Sequence, residues 1–367
     1  MKRTGFSRAE KRLVIGGGLA VVLLGGLGFA LTNNGNSSAI PPRAPMPQPN
    51  GFDLYVAAAK TMTRPNPPVD ENSDRKKRTP QEAAKFYTPA RRAAFVAANA
   101  KAWNLMIQAR AAQTLHPNAR GNLLFKGPYQ PLRDLARAKG VKVKHFLDLN
   151  RPDLALQSGL DILEMGRDIE PGGGILGSLV GIAVEAVGSA SIETVPVALD
   201  AASARNGARR LERIIRGGIS PAEVLTEEKW SLLTLAQNNY GQPKNRMLTI
   251  ATFRTPATIR ARMDDYIAQS QKPWPLQTYA PPANSFLNLF ADLASSPKRY
   301  VFNATRRGAM ESSLLLRLAL RAYRVENGVY PDNLTQLAPK YLSKIPRDAF
   351  GRGEAMRYRK NGDSYLA

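Results

Sequence analysis

Glu185 is the only charged residue in the apolar run GILGSLVGIAVEAVGSA, residues 174–190. A carboxylate taken out of water ionises less readily, and a carboxyl held that way can serve as a general acid or base. The same isolation suits an internal ion pair with one of the chain's many arginines, which the rarity of unpaired buried charge favours. Two rows of arginine supply the other candidate chemistry. Arg205, Arg209, Arg213 and Arg216 recur at steps of four, four and three, and Arg317, Arg321 and Arg324 at steps of four and three. On a helix each row aligns its guanidinium groups along one face. There they could hold phosphates or carboxylates through forked hydrogen bonds. A solvated helix face is the plainer role of such a row.

Familiar catalytic signatures are missing. Gly172-Gly173-Gly174-Ile175-Leu176-Gly177 has the spacing of a dinucleotide-binding loop, but the segment before it has helical periodicity, and that loop must follow a strand. A helix–helix connection is expected instead. His116 and His145 stand far apart, and neither has a metal-ligand pattern beside it. No nucleophile elbow marks a serine, and no phosphate-binding P-loop is present. Glu227-Glu228 and Asp264-Asp265 are adjacent pairs, whose side chains diverge on a helix. The chain has no cysteine, which excludes disulfides, thiolate metal sites and cysteine nucleophiles. No catalytic residue, metal ligand or cofactor is therefore assigned. An enzyme with an unfamiliar site around Glu185 is kept as an alternative to a non-enzymatic protein.

The 52 basic and 29 acidic residues leave a net charge of +23. Such a balance favours anionic partners: lipid headgroups, acidic envelope polymers or nucleic acid. No nucleic-acid motif accompanies the charge, so nucleic acid is disfavoured. Residues 13–31 form an uncharged apolar run, close to the roughly 20 residues that cross a bilayer as a helix. Lys2, Arg3, Arg8, Lys11 and Arg12 precede it against Glu10 alone, which places residues 1–12 in the cytoplasm. An uncleaved anchor in the lipid bilayer is expected, with the rest of the chain outside the cytoplasmic membrane. A cleaved signal peptide is the rival; its apolar region usually runs about 7–15 residues. Residues 32–50, rich in Asn, Ser and Pro, read as a tether.

The fold class expected is mainly α: a single N-terminal membrane helix, a multi-helix ectodomain over 51–297 built of hairpin-like helix pairs, and a small α+β module over 298–367. Apolar periodicity and cap residues predict helices over 52–62, 95–109, 128–139, 142–149, 154–169, 174–190, 201–216, 221–237, 256–269, 285–293 and 298–326. The stretch NRPDLALQSGLDILEMGRDI resembles half of a tetratricopeptide-type helical hairpin, without a repeat at that family's period. Arg75, Lys76, Lys77 and Arg78 form a basic run in a polar loop, and Thr79-Pro80-Gln81-Glu82 is a capping box.

After the last helix, Asn327-Gly328 signals a helix end and Tyr330-Pro331 an extended step. Asp332 is the expected cap of a short helix carrying Leu334 and Leu337. Tyr341, Leu342 and Ile345, bracketed by Pro339 and Pro346, are expected to anchor on the long helix. Asn361-Gly362 predicts a two-residue hairpin turn that sets Lys360 opposite Asp363 and Tyr358 opposite Tyr365.

These features resemble the C-terminal module of the type II secretion major pseudopilins. The matching residues include Tyr323, Gly328, Tyr330, Pro331, Pro346, Asp348, Gly351 and Tyr358; the family's DP(W/F)G stands here as Asp348-Ala349-Phe350-Gly351. Gly5-Phe6 with Glu10 resembles a type IV prepilin cleavage site, although Arg8, Lys11 and Arg12 interrupt the apolar run that follows it in prepilins. The whole chain resembles bacterial envelope proteins that combine an anchor, a helical ectodomain and this ending. The resemblance implies envelope or secretion partners and a possible pilus-like assembly. It implies no activity.

Overall fold

A computed structural model describes residues 40–63, 88–122, 127–240, 256–279 and 297–366. The expected anchor, the prepilin-like site, residues 32–39 of the tether, the basic run at Arg75, the capping box at Thr79 and the helix over 285–293 lie outside these residues. The described chain is mainly helical, with one two-stranded antiparallel sheet near its C-terminal end.

Helix α1 (Gly51–Thr61) starts at Asn50, whose side chain accepts from the Phe52 amide at 3.2 Å. The same amide group binds both backbone groups of Leu115, so the cap also stitches α1 to a distant segment. Helix α2 (Pro89–Ala98) is capped by Thr88, and α3 (Ala100–Ala111) follows at once. The single helix expected over 95–109 is thus two. Asn99 leaves helical geometry at φ −102°, ψ 18°, and its side chain bonds the Phe95 carbonyl and the Thr63 amide. The two helices expected over 128–149 are conversely one, α4 (Tyr129–Asp148). Leu135, Ala136, Ala138, Val141 and Val143 are buried on both sides of Gly140, and this packing outweighs glycine's poor helix propensity.

Helices α5 (Pro152–Asp168) and α6 (Gly174–Ser191) pack closely, joined by the glycine turn. Gly166 and Gly181 face each other; a Cβ on either would lie within 2.7 Å of the other's carbonyl oxygen. Among the described residues, Gly174–Ala198 is the one helical segment long and apolar enough to cross a membrane by length and composition. Here it is a core element, packed against α4 and α5. It also packs against α8 (Pro221–Tyr240) and α10 (Pro297–Asn327). Helix α7 (Ala201–Gly217) lies on α5 and α10, while α9 (Pro256–Ser270) lies on α8. Three apolar clusters result, and α5, α6 and α10 run between them.

Helix α10 ends at Asn327, with Gly328 at φ +73°. A 3-10 turn (Leu334–Leu337) follows, capped by Asn333 rather than the expected Asp332. Asp332 instead pairs with Lys360 at 2.9 Å. Tyr341 and Leu342 are buried on α10 as expected, with Ile345 packed against the same cluster. Asp348–Gly351 closes a turn: the Gly351 amide donates to the Asp348 carbonyl at 3.1 Å and the Phe350 amide to its carboxylate at 2.9 Å. The Met356 amide reaches the Pro346 carbonyl.

Strands β1 (Arg359–Asn361) and β2 (Ser364–Leu366) pair with Lys360 opposite Tyr365 and Asn361 opposite Ser364. The turn is therefore Gly362-Asp363, one residue beyond the expected Asn361-Gly362. Gly362 takes φ +56° at the first turn position, the place glycine holds in a type II′ hairpin. The expected Lys360–Asp363 and Tyr358–Tyr365 cross-strand pairs are not in register. Asp363 pairs with Arg324, and the Tyr358 and Tyr365 rings still meet at 6.2 Å. Tyr330 stacks edge-on against Tyr365 at 4.9 Å, and the Tyr358 hydroxyl donates to the Pro331 carbonyl. Tyr323 meets Tyr341 at 5.5 Å.

Candidate functional site

The arginine row over 205–216 lies on α7, which buries Ala204, Gly207, Ala208, Leu211 and Ile214 and turns its opposite side outward. Asp200 caps the helix start. Arg205 is engaged by Glu326 of α10. Arg209, Arg213 and Arg216 are exposed, and among the described residues none of the three has a carboxylate partner. They border an open cleft of about 550 Å³, together with Gln157, Asn206, Arg210 and Glu212. Arg210 lies off the predicted row and anchors its base. It donates to Asp161 at 2.7 Å, Glu164 at 2.6 Å and the Gln157 side chain at 2.8 Å.

The second row is largely taken up by the fold. Arg321 donates to the Leu199 carbonyl at 2.7 Å, and Arg324 binds Asp363 at 2.8 Å and the Gly328 carbonyl. Arg317 is half-buried. The two rows do not converge on one surface: the cleft beside α7 includes no member of the second.

Glu185 is 3% exposed and lies in a buried ionic cluster where α5, α6 and α10 meet. Its Oε1 accepts from Arg307 Nη1 at 3.1 Å and stands 3.3 Å from Arg167 Nε. Arg307 also binds Glu170, and Arg167 binds Glu311. Ser178 donates to Glu170 at 2.6 Å and lies 3.4 Å from the Tyr300 hydroxyl. Three carboxylates thus face two guanidinium groups. Burial drives the Glu185 carboxyl well above the usual carboxylate range, against the pull of Arg167 and Arg307. Burial also raises Glu170, against Arg307. At Arg307 burial acts downward, but Glu185, Glu170 and Glu311 outweigh it, so the guanidinium stays charged. Burial and the surplus carboxylate both favour the neutral form of a carboxyl here.

Of these residues only Glu185 was visible in the sequence. The others carried a legible signal of another kind. Leu156, Leu160, Leu163, Arg167 and Glu170 continue one core-facing period of four and three, and so do Tyr300, Ala304, Arg307, Glu311, Leu314 and Leu318. Charges standing at core positions of two helices mark a buried cluster.

A second cluster borders α5. Arg110, Lys139 and Arg210 surround Asp161, with Glu164 beside Arg110 and Arg210. Lys139 is 3% exposed, and burial lowers its ammonium to about 7 despite the 2.8 Å contact with Asp161. Next to it the Tyr55 hydroxyl donates to Asp168 at 2.6 Å, and burial lifts that carboxyl to about 7.

The remaining candidates are structural. His116 is buried against Phe52, its Nδ1 accepts from the Asn118 amide, and burial lowers it to about 4. His145 sits against Phe146. Glu227 forks onto Arg120, Glu228 accepts from the Ile175 amide at the start of α6, and Asp264 pairs with Lys229. Gly172 and Gly174 take positive φ in the α5–α6 connection, with a helix and no strand before them. A small cavity of about 90 Å³ adjoins Glu185, and neither histidine lines it. Among the described residues no group of three or more His, Asp or Glu side chains is placed to hold a metal ion. No family model, no curated protein and no solved structure matches the chain.

Proposed function

We propose that the protein is a single-pass, membrane-anchored interaction or scaffold protein of the bacterial envelope. Residues 13–31 would hold it in the cytoplasmic membrane with the body outside, and the α7 face would be its contact surface for anionic partners. One observation carries the contact surface. Arg110, Arg120, Arg167, Arg205, Arg210, Arg307 and Arg324 all bind carboxylates of this chain, whereas Arg209, Arg213 and Arg216 stand in a row beside an open cleft. Exposed guanidinium groups one turn apart suit phosphate or carboxylate groups repeated along a polymer or spread over a headgroup surface.

The test uses the full chain in neutral-lipid nanodiscs, titrated with a glycerol-phosphate polymer or with phosphatidylglycerol vesicles. Binding should be saturable, weaken as salt screens the charges, and be abolished by Arg209→Glu, Arg213→Glu and Arg216→Glu together. Equal binding by that triple variant would refute the contact surface. The polymer and vesicle arms distinguish an envelope polymer from a lipid surface as the partner.

The C-terminal turn-and-hairpin module favours a second reading, a pilus-like or secretion-related component assembled through its N-terminal helix. Sequencing the mature N-terminus separates the two: Phe6 as the first residue supports assembly, and an intact start supports a plain anchor.

A further inference from the structure

Trp274, Phe302 and Phe350 come from three separate elements and meet at the surface. Their ring centroids lie 5.4 Å apart for Trp274 and Phe302, 6.1 Å for Trp274 and Phe350, and 5.8 Å for Phe302 and Phe350. Trp274 begins a 3-10 turn (Trp274–Leu276) beyond α9, Phe302 lies near the start of α10, and Phe350 belongs to the Asp348–Gly351 turn. Bracing the C-terminal module against α10 accounts for the ring contacts. It does not account for the exposure: Phe302 is 42% exposed, and Leu276, at the end of the 3-10 turn, 47%. Large apolar side chains gathered on a surface mark a contact with something else.

The charges around the rings select the partner. Lys298, Phe302 and Arg306 follow one another at steps of four, so both cations flank Phe302 on one face of α10. Lys272 stands two residues before Trp274, and Arg352 two after Phe350. All four cations are exposed, and among the described residues none pairs with a carboxylate. The nearby carboxylates of Asp348 and Glu354 are taken up by the Phe350 and Arg352 amides. Tryptophan and phenylalanine inside a basic rim suit the headgroup level of a bilayer that contains anionic lipid. The rings enter the boundary with the acyl chains, and the cations stay among the phosphates.

The path of the chain brings lipid within reach. Arg43 donates to the carbonyls of His116, Asn118 and Gly172, and Arg120 donates to that of Pro41, so this end of the tether is fixed to the body. Ile40 and Trp274 both pack against the apolar cluster shared by α8, α9 and the start of α10. Only residues 32–39 separate Ile40 from the expected anchor, and eight extended residues span at most about 29 Å. We infer that the Trp274–Phe302–Phe350 patch, with Leu276, docks on the outer surface of the membrane that holds the anchor, its basic rim on anionic headgroups. This rests on the proposed anchor and adds a second attachment to it, one that lays the body against the bilayer instead of leaving it to swing on the tether.

Tryptophan quenching by lipids brominated on the upper acyl chain tests this, with the full chain reconstituted in vesicles of equimolar phosphatidylcholine and phosphatidylglycerol. Trp274→Phe keeps a ring in the patch and removes its reporter, so the difference between wild type and this variant isolates Trp274 from Trp103 and Trp230. That difference should show Trp274 quenched by the brominated lipid and sheltered from aqueous acrylamide, with weaker lipid quenching in phosphatidylcholine alone. Leu276→Asp with Phe302→Asp should cut the lipid quenching by about half or more, and so should Lys272→Glu with Lys298→Glu and Arg306→Glu. Either set carries the test if the other fails to fold. A chain that does not float with the vesicles overturns the anchor and the patch together. A chain that floats with Trp274 open to acrylamide overturns the patch alone. So does a Trp274 sheltered from both quenchers, which would place a second copy or another part of this chain over it, and so does undiminished lipid quenching in the folded variants.

Discussion

Two ionic clusters lie along α5 and are out of balance in opposite directions. Around Arg167 and Arg307, three carboxylates face two cations. Around Asp161 and Glu164, two carboxylates face Arg110, Lys139 and Arg210. Burial pushes each imbalance towards neutrality: it raises the Glu185 carboxyl in the first and lowers the Lys139 ammonium to about 7 in the second. The lesson is that a chain with a large positive surplus does not distribute it evenly. Inside, charge is trimmed towards neutrality; on α7 the surplus is left to face solvent.

Variants can break or sharpen this contrast. Arg307→Met has the largest expected effect. It leaves Glu170 without its guanidinium partner and three carboxylates facing Arg167 alone, a loss of about 3–5 kcal/mol in chemical denaturation. A loss below about 1 kcal/mol would show that the cluster is hydrated rather than buried.

Glu185→Gln comes next and has the opposite sense. It leaves two carboxylates and two guanidinium groups, a balanced set. Wild-type stability from Glu185 is complete below the ordinary carboxylate range, where folded and unfolded chains are both protonated. It is lost as pH rises through the raised folded value, at about 1.4 kcal/mol per pH unit in that window. The variant should lack this loss, so its advantage over wild type grows with pH. A constant difference between the two denaturation curves from pH 5 to pH 8 would contradict a raised Glu185 carboxyl.

Lys139→Met sharpens the comparison from the other side. The folded protein releases the Lys139 proton near 7 and the unfolded chain near 10.5. Wild type should therefore gain stability as pH climbs between those values, and the variant should not. Parallel pH profiles for the two would remove the contrast between the clusters.

The smallest effect on stability belongs to the exposed row. Arg209→Glu, Arg213→Glu and Arg216→Glu should each stay within about 0.5 kcal/mol of wild type in thermal melts, because no buried partner is lost. A larger drop would mean that the row serves the fold.

Helix boundaries were legible where period and punctuation agree. The predicted 201–216 stops one residue short of Ala201–Gly217, and 298–326 falls one residue short at each end of Pro297–Asn327. They failed where tertiary contacts decide. Asn99 breaks a helix because Thr63 and Phe95 claim its amide, and buried neighbours carry α4 through Gly140. The hairpin was legible but its register was not, since Asn361-Gly362 and Gly362-Asp363 are both acceptable turns and the tyrosine contacts choose between them. Glu185 stood out as a lone charge, whereas its partners belong to helices rich in charge and lie far off in sequence. Only their place in the apolar period distinguished them.

Everything proposed for the partners rests on the body of the chain lying outside the cytoplasmic membrane. The direct measurement is a pair of reporters fused after Ala367, one active only outside that membrane and one only in the cytoplasm. The first should be active and the second silent; a signal from the cytoplasmic reporter alone would contradict the account.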